Sequence, residues 1–241
     1  MSKTVLITGG SSGIGFTLSK YFLKDGFRVL WVSLLSDELE SSKQKLTTEF
    51  ASAEIHTLTK DLCQENAAQE VINWVNEHNW PIDVLVNNAG LASGRAPIDE
   101  GNVEDWDIMI DTNVKGLLYM TRLVVPVMRE NQRGHIVNIA SIAGKEVYQN
   151  GNVYCASKHA VDALSRSMRI DLLPYNIKVT NIAPGAAETE FSLVRLKGDE
   201  DAAKAVYDGF EPLTAEDIAE TVWFALNRPA HVNINDLVIV P

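Results

Sequence analysis

Tyr154 and Lys158 stand four residues apart in "NVYCASKHAV" (152–161), with Cys155, Ala156 and Ser157 between them. On a helix that spacing places the phenol and the ammonium on one face, a turn apart. A tyrosine ordinarily ionises near pH ~10, too high for ready proton transfer at neutral pH. A neighbouring ammonium favours the phenolate and brings that pKa down. The small residues between the two leave room for a substrate and a flat ligand to approach. An isolated Tyr-x-x-x-Lys is more often two ordinary surface side chains, so the pair needs support from elsewhere. Ser141, thirteen residues earlier, offers a hydroxyl that can bond a substrate oxygen.

Three further stretches carry chemistry. "TGGSSGIG" (8–15) places Gly9, Gly13 and Gly15 ahead of a helical pattern. Glycines permit a tight turn and let a pyrophosphate approach the backbone, and a helix N-terminus offers free N–H groups. "NNAG" (87–90) puts two amides before two small residues, which suits either a polar turn or the close approach of a flat ligand. "PGAAET" (184–189) breaks a strand at Pro184 and Gly185 and supplies the Thr189 hydroxyl to the following segment. Beyond it, "TEFSLVRLKGD" (189–199) contains Arg195 and Lys197. A guanidinium can grip a carboxylate through two parallel hydrogen bonds. Arg195 is therefore the candidate for an acidic substrate, unless it pairs with Glu188 or Asp199 and only fixes its loop.

The elements that must position these groups alternate in type. Strands are predicted at 4–8, 28–33, 54–59, 83–87, 135–141, 177–183 and 236–240. Helices are predicted at 14–25, stopped by Gly26, at 37–50 with Ser36 as cap, at 65–78, as one long stretch at 103–130, at 152–172 ahead of Pro174, and at 214–227 capped by Thr214. Strands this apolar, with little alternation, suit a parallel sheet buried on both faces. The pattern predicts an α/β fold: a Rossmann-type doubly wound parallel sheet of about seven strands with helices on both faces. Ligands of such sheets bind beyond the carboxyl ends of the strands, where each stretch named above falls.

Composition narrows the function. The 241 residues suit one domain spanning 1–241, and a 46% hydrophobic content supports a large core. The net charge of −11 disfavours nucleic acid as a partner. No apolar run reaches membrane-spanning length, so no membrane partner and a soluble, cytoplasmic protein are expected. Cys63 and Cys155 suggest no disulfide framework, and the histidines at 56, 78, 135, 159 and 231 have no metal-ligand spacing, so no metal is expected. Leu117, Met120, Ala160, Ala163 and Met168 spread apolar or small residues over more than one face of their helices. That predicts cover from other subunits.

Taken together, these motifs resemble the short-chain dehydrogenase/reductase family over almost the whole chain: the glycine turn at 8–15, NNAG at 87–90, Asn113 in the long helix, Ser141, Tyr154 with Lys158, and Pro184-Gly185. The resemblance implies an oxidoreductase that moves a hydride and a proton between an alcohol and a nicotinamide cofactor. It makes Tyr154 the acid/base, Lys158 the group that lowers its pKa and holds the nicotinamide ribose, and Ser141 the group that orients the substrate oxygen. Asn113 holds a water that links Lys158 to solvent. Positive charge on an oxidised nicotinamide adds to the effect on Tyr154. The implied cofactor contacts are Gly9, Ser11, Ser12, Gly13, Ile14, Gly15, Ser33, Leu34, Asp61, Leu62, Asn87, Ala89, Gly90, Tyr154, Lys158, Pro184, Gly185, Ala187 and Thr189. The implied substrate contacts are Ser141, Tyr154 and Arg195, with a substrate loop at about 186–212, and the implied assembly is a homotetramer.

The segments 103–122, 151–158, 189–199 and 229–241 further resemble the NADP-dependent 3-hydroxy acid (serine or L-allo-threonine) dehydrogenases. That group usually carries arginines just after the second strand, which bind the cofactor's 2′-phosphate. Here the chain reads Ser33, Leu34, Leu35, and the acidic residue that selects NAD is absent too. Asp37 lies at a distance from the glycines that suits ribose binding, or else opens the next helix. The expectation is a small-molecule dehydrogenase that prefers NADP weakly and can use NAD. A broad carbonyl reductase and a nucleotide-sensing protein without turnover are the alternatives.

Overall fold

The computed structural model describes residues 2–241. Seven parallel strands form one sheet in the order β3-β2-β1-β4-β5-β6-β7. They are β1 (Thr4–Thr8), β2 (Arg28–Ser33), β3 (Ile55–Thr59), β4 (Val84–Asn87), β5 (Gly134–Ile139), β6 (Ile177–Pro184) and β7 (Asp236–Ile239). Each chain crossover is a helix or helix-rich segment, as parallel pairing requires. The order reverses between β1 and β4, which opens a crevice at their carboxyl ends. The doubly wound sheet expected from the strand pattern is the one observed.

Two apolar layers enclose the sheet. On one face, α3 (Glu65–Glu77), α5 (Leu117–Glu130) and α6 (Asn152–Leu172) pack Val71, Met120, Val124 and Val161 against Leu6, Leu85 and Ile136. On the other, α1 (Gly13–Lys24), α2 (Ser36–Glu49) and α9 (Ala215–Leu226) pack Leu18, Phe22, Leu46 and Val222 against Ile7, Val29 and Trp31. Strand β1 is fully buried, which accounts for its unbroken apolar reading.

Several boundaries depart from expectation. Ser36 does not cap α2: the cap is Leu35, without a side-chain bond, and Ser36 is the first helical residue. Thr214 does cap α9, in a reciprocal capping box with Asp217. The stretch expected as one helix at 103–130 is α4 (Val103–Ile110), a π-helical turn (Asp111–Gly116) and α5. Such wide turns are rare and often lie at functional sites. This one contains Asn113. The segment after β6 folds into two short helices, α7 (Phe191–Arg195) and α8 (Glu200–Ala205), tied back by an Ala187–Leu213 bridge. Leu117, Met120 and Met168 are buried inside the subunit, so they do not supply an outer apolar face. The large apolar residues left exposed near them are Leu118, Ile170 and Leu173.

Candidate active site

The glycine turn forms the floor of the crevice. Gly9 (φ +65°) and Gly13 (φ +51°) adopt left-handed backbone that side chains resist. A methyl on Gly15 would lie 2.4 Å from the Gly9 carbonyl oxygen. Asn88 bolts this turn to the NNAG turn. Its Nδ2 donates to the carbonyls of Thr8 (3.0 Å) and Gly9 (2.8 Å), and Thr8 Oγ1 accepts from the N–H groups of Asn88 and Ala89. Asn88 thus joins the two turns, although only its motif marked it in the sequence. Its neighbour Asn87 turns the other way: its Nδ2 donates inward to Thr121 and Asn138, and its Oδ1 is buried without a hydrogen-bond partner. A Cβ on Gly90 would meet Asn113 Oδ1 at 3.1 Å and Lys158 Nζ at 3.3 Å. This cradle of absent side chains fits a flat, phosphate-bearing dinucleotide.

The other residues expected to contact a nucleotide lie at or just beyond the ends of β1, β2, β3 and β6. Ser12 caps α1 without using its hydroxyl for the cap, and half-buried Ile14 packs against the apolar layer on that face of the sheet. Ser11 and Ser33 pair their hydroxyls at 3.3 Å, and the Ser11 carbonyl accepts from Ser42. Leu34 is exposed beside them. Asp37 sits in the first turn of α2, where a carboxylate suits the helix dipole, so it is a helix residue. Beyond β3, Asp61 caps the Cys63 N–H and Leu62 is buried. Ala187 accepts from Tyr207, and Thr189 packs over Gly13 from the far side.

Ser141 follows β5 and caps a 3₁₀ turn (Ile142–Gly144), its Oγ accepting from Ala143 and donating to the Pro184 carbonyl at 3.4 Å. Gly144 packs against the Lys158 carbonyl with no room for a Cβ, which sets the distance between Ser141 and α6. Tyr154 lies in the first turn of α6, and Lys158 a turn on. Asn113 is held rigidly: Oδ1 accepts from Leu91 N, and Nδ2 donates to Leu91 O and Ser157 Oγ. Asn113, Ser141, Tyr154 and Lys158 are all buried at one point of the crevice.

Burial pushes the Tyr154 phenol well above the usual tyrosine value; a hydrogen bond with Ser141 and the Arg195 charge oppose this, and Tyr148 reinforces it. Lys158 Nζ sits 5.9 Å from the Tyr154 ring centre and donates to the Ile139 carbonyl. With no carboxylate beside it, burial brings Lys158 down to about 8. In the protein alone, burial of Tyr154 outweighs the groups that favour its phenolate.

Above Tyr154 lies α7. Phe191 packs on the Tyr154 ring at 5.5 Å, and the Arg195 guanidinium lies 5.6 Å from its centre. Arg195 pairs with neither Glu188 nor Asp199 among the described residues. It donates through Nη1 to the Tyr148 hydroxyl at 2.9 Å, and its Nε is buried without a hydrogen-bond partner. Lys197 instead forms the ion pair, with Asp105 at 2.9 Å, and Ser93 donates to the same carboxylate. The cavity beneath, about 30 Å³, is lined by Tyr154, Arg195, Arg95, Asp105, Trp106 and Asn152 among others. Tyr148, Phe191, Asp105 and Arg95 escaped the sequence reading, because no motif marks residues that converge from separate loops. No helix among the described residues is long and apolar enough to cross a membrane, and none of their His, Cys, Asp and Glu side chains cluster as metal ligands.

The fold and the crevice define a dinucleotide-binding α/β oxidoreductase. Residues 3–198 match the short chain dehydrogenase family, and the chain belongs to it. It is 43% identical to an NADP-dependent 3-hydroxy acid dehydrogenase of Salmonella typhi, over 98% of this chain and 94% of that one. It is 38% identical to a serine 3-dehydrogenase of Agrobacterium fabrum, over 100% and 94%. Among solved structures, the closed form of a serine dehydrogenase complexed with NADP+ superposes with a TM-score of 0.92 at 42% identity, covering 99% of this chain and 94% of that one.

Proposed function

We propose that this chain moves a hydride between NADP(H) and a small 3-hydroxy acid or the matching carbonyl compound, with Tyr154 as acid/base. The observation that carries the reading is the convergence of Ser141, Tyr154, Lys158 and Asn113 beside a glycine cradle, with Arg195 facing the phenol. The nicotinamide, when bound, accepts or gives the hydride. In the oxidative direction Ser141 hydrogen-bonds the substrate oxygen and the Tyr154 phenolate takes its proton as the C–H bond breaks. In the reverse direction the phenol returns that proton. Lys158, near 8 and therefore able to hold or release a proton close to neutral pH, binds the nicotinamide ribose and takes part in refilling Tyr154. Asn113, fixed by the π-helical turn, supports a water that joins Lys158 to solvent. Arg195 receives the substrate carboxylate.

NADP is the preferred cofactor, supported by the similarity to NADP-dependent relatives and by the absence of a carboxylate at Ser33. Without an arginine at Leu34, the Ser11–Ser33 hydroxyls and backbone N–H groups meet the 2′-phosphate, so the preference is weak and NAD is also used. The protein works as a homotetramer, with Leu118, Ile170 and Leu173 among the apolar residues that other subunits cover.

The test follows the ultraviolet absorbance of the reduced cofactor over a panel of hydroxy acids and simple alcohols, with NADP and with NAD. Turnover of hydroxy acids with NADP above NAD is expected. Equal turnover of alcohols without a carboxylate would make this a broad carbonyl reductase. No turnover of any substrate, with nucleotide still bound, would make it a sensor.

A further inference from the structure

The Arg195 guanidinium is aimed by a residue outside the family motifs. Tyr148 lies in the loop between the 3₁₀ turn after Ser141 and the start of α6. Its hydroxyl accepts from Arg195 Nη1 at 2.9 Å, and its ring lies 5.3 Å from the guanidinium carbon. The ring also explains a glycine. Gly151 has ordinary negative φ, so its backbone does not require glycine, yet a Cβ there would come within 2.2 Å of the Tyr148 ring. Gly151 gives the ring its seat, and α6, which carries Tyr154, begins at the next residue. The guanidinium is thus fixed relative to the phenol through a short path: Gly151, Tyr148, Arg195.

The atom that Tyr148 occupies decides which edge remains. A guanidinium offers two hydrogen-bonding edges, and the side edge, Nε with Nη2, matches both oxygens of a carboxylate. Tyr148 holds Nη1, which lies outside that edge. Nε is buried without a hydrogen-bond partner, an arrangement that costs free energy until an acceptor arrives. The charge around the cavity suits an anion. Arg195 and Arg95 both line it, and its one carboxylate, Asp105, is engaged by Lys197 and Ser93.

We propose that Tyr148 is a positioning residue for substrate choice: by holding Arg195 Nη1, it presents the Nε–Nη2 edge to the carboxylate of a hydroxy acid whose hydroxyl reaches Tyr154. This rests on the hydroxy acid reading above and names the residue that makes Arg195 selective.

The test compares wild type, Tyr148→Phe, Arg195→Leu and the double variant. Each is assayed with a 3-hydroxy acid and with a simple alcohol at saturating NADP, and each is checked by thermal melting. The readout is the ratio of kcat/KM for the acid to that for the alcohol. A hydrogen bond to a charged group is worth about tenfold or more. Tyr148→Phe, which keeps the ring and its seat, is expected to lower the ratio by about tenfold, mainly through KM for the acid. Arg195→Leu should lower it further, and the double variant should match Arg195→Leu alone, because Tyr148 acts only through Arg195. A wild-type ratio in Tyr148→Phe, or a double variant whose loss is the product of the two single losses, overturns the role of Tyr148 while leaving Arg195 in place. Equal losses on acid and alcohol in Arg195→Leu overturn the carboxylate role of Arg195, and the role of Tyr148 falls with it.

Discussion

The two ends of the crevice are built differently. At the nucleotide end the parts are backbone: left-handed glycines, a Gly15 whose missing methyl lets two turns touch, and an Asn88 amide that spans from β4 to β1. At the substrate end the parts are side chains that reach across loops: Lys197 to Asp105, Arg195 to Tyr148 and Phe191 onto Tyr154, with one backbone bond, Gly94 to the Arg195 carbonyl. The first kind of site is preformed by the fold. The second depends on α7 staying docked. Its cavity of about 30 Å³ lies beneath α7, lined by Tyr154 and Arg195. The glycine end is then a platform of backbone and the Arg195 end a cover of side-chain contacts, with Tyr154 where they meet.

Removing that meeting point should have the largest effect. Tyr154→Phe takes away the proposed proton-transfer group but neither the platform nor the cover. Turnover should fall by roughly 10²–10⁴-fold, while a fluorescence titration should show cofactor binding largely intact. Activity near wild type would remove Tyr154 from the mechanism. Gly15→Ala breaks the platform alone. Its methyl meets a backbone carbonyl that no rotamer can move, and overpacking of this kind costs about 1–3 kcal/mol. Cofactor affinity and melting temperature should both fall, and the preference for acid over alcohol at saturating cofactor should hold. A cofactor affinity equal to wild type would mean that the two turns are less tightly fixed than their contact implies. Leu34→Arg instead sharpens the platform, placing a guanidinium beside Ser33 where the 2′-phosphate is expected. It should raise NADP selectivity over NAD by about tenfold, read from the two kcat/KM values. A wild-type preference for NAD would contradict this account of the rim.

The same division decides what was legible in the sequence. Glycines that must be glycines announce themselves, and so do apolar strands and a Tyr-x-x-x-Lys on a helix. The sheet, its crevice and the Tyr154–Lys158 pair were therefore readable from the residues, whereas Asn113 was marked only by the family resemblance. Ser36 misled because a serine before a helical pattern is an ordinary cap, yet β2 runs directly into the crevice and α2 starts one residue early. The π-helical turn was hidden because "DTNVKG" has nothing that separates it from an α-helix; the Asn113 contacts that accompany it come from Leu91 and Ser157, both distant in sequence. The burial of Tyr154 and Lys158 was hidden for a similar reason. Spacing gives proximity to Lys158, but burial and the inward pull of the Ile139 carbonyl decide where the ammonium sits. Arg195 was visible only as a cation in a loop; its partner Tyr148 lies across a strand, a helix and two turns.

The smallest expected effect concerns the cover itself. Lys197 and Asp105 form the one ion pair among the described residues that ties α7's trailing turn to the wall of the cavity at α4. Asp105 is mostly buried, bonded by Ser93 and held below the usual carboxylate range first by that bond and then by Lys197, whereas Lys197 is 58% exposed. The two partners are therefore unequal. Removing Asp105 would also disturb Ser93 and the close packing at Gly94, so Lys197→Ala is the cleaner cut. An exposed pair contributes about 0–1 kcal/mol, which limits the change in cover docking to about fivefold at most. If the cover must open to admit substrate and release product, Lys197→Ala should raise KM for hydroxy acids a few-fold, leave cofactor affinity unchanged, and speed proteolytic cleavage within 191–199. Added salt should move wild-type KM in the same direction by screening the pair, and should move the variant less. A variant with wild-type KM and wild-type proteolysis would show that Phe191 and the Gly94–Arg195 bond hold the cover without Lys197.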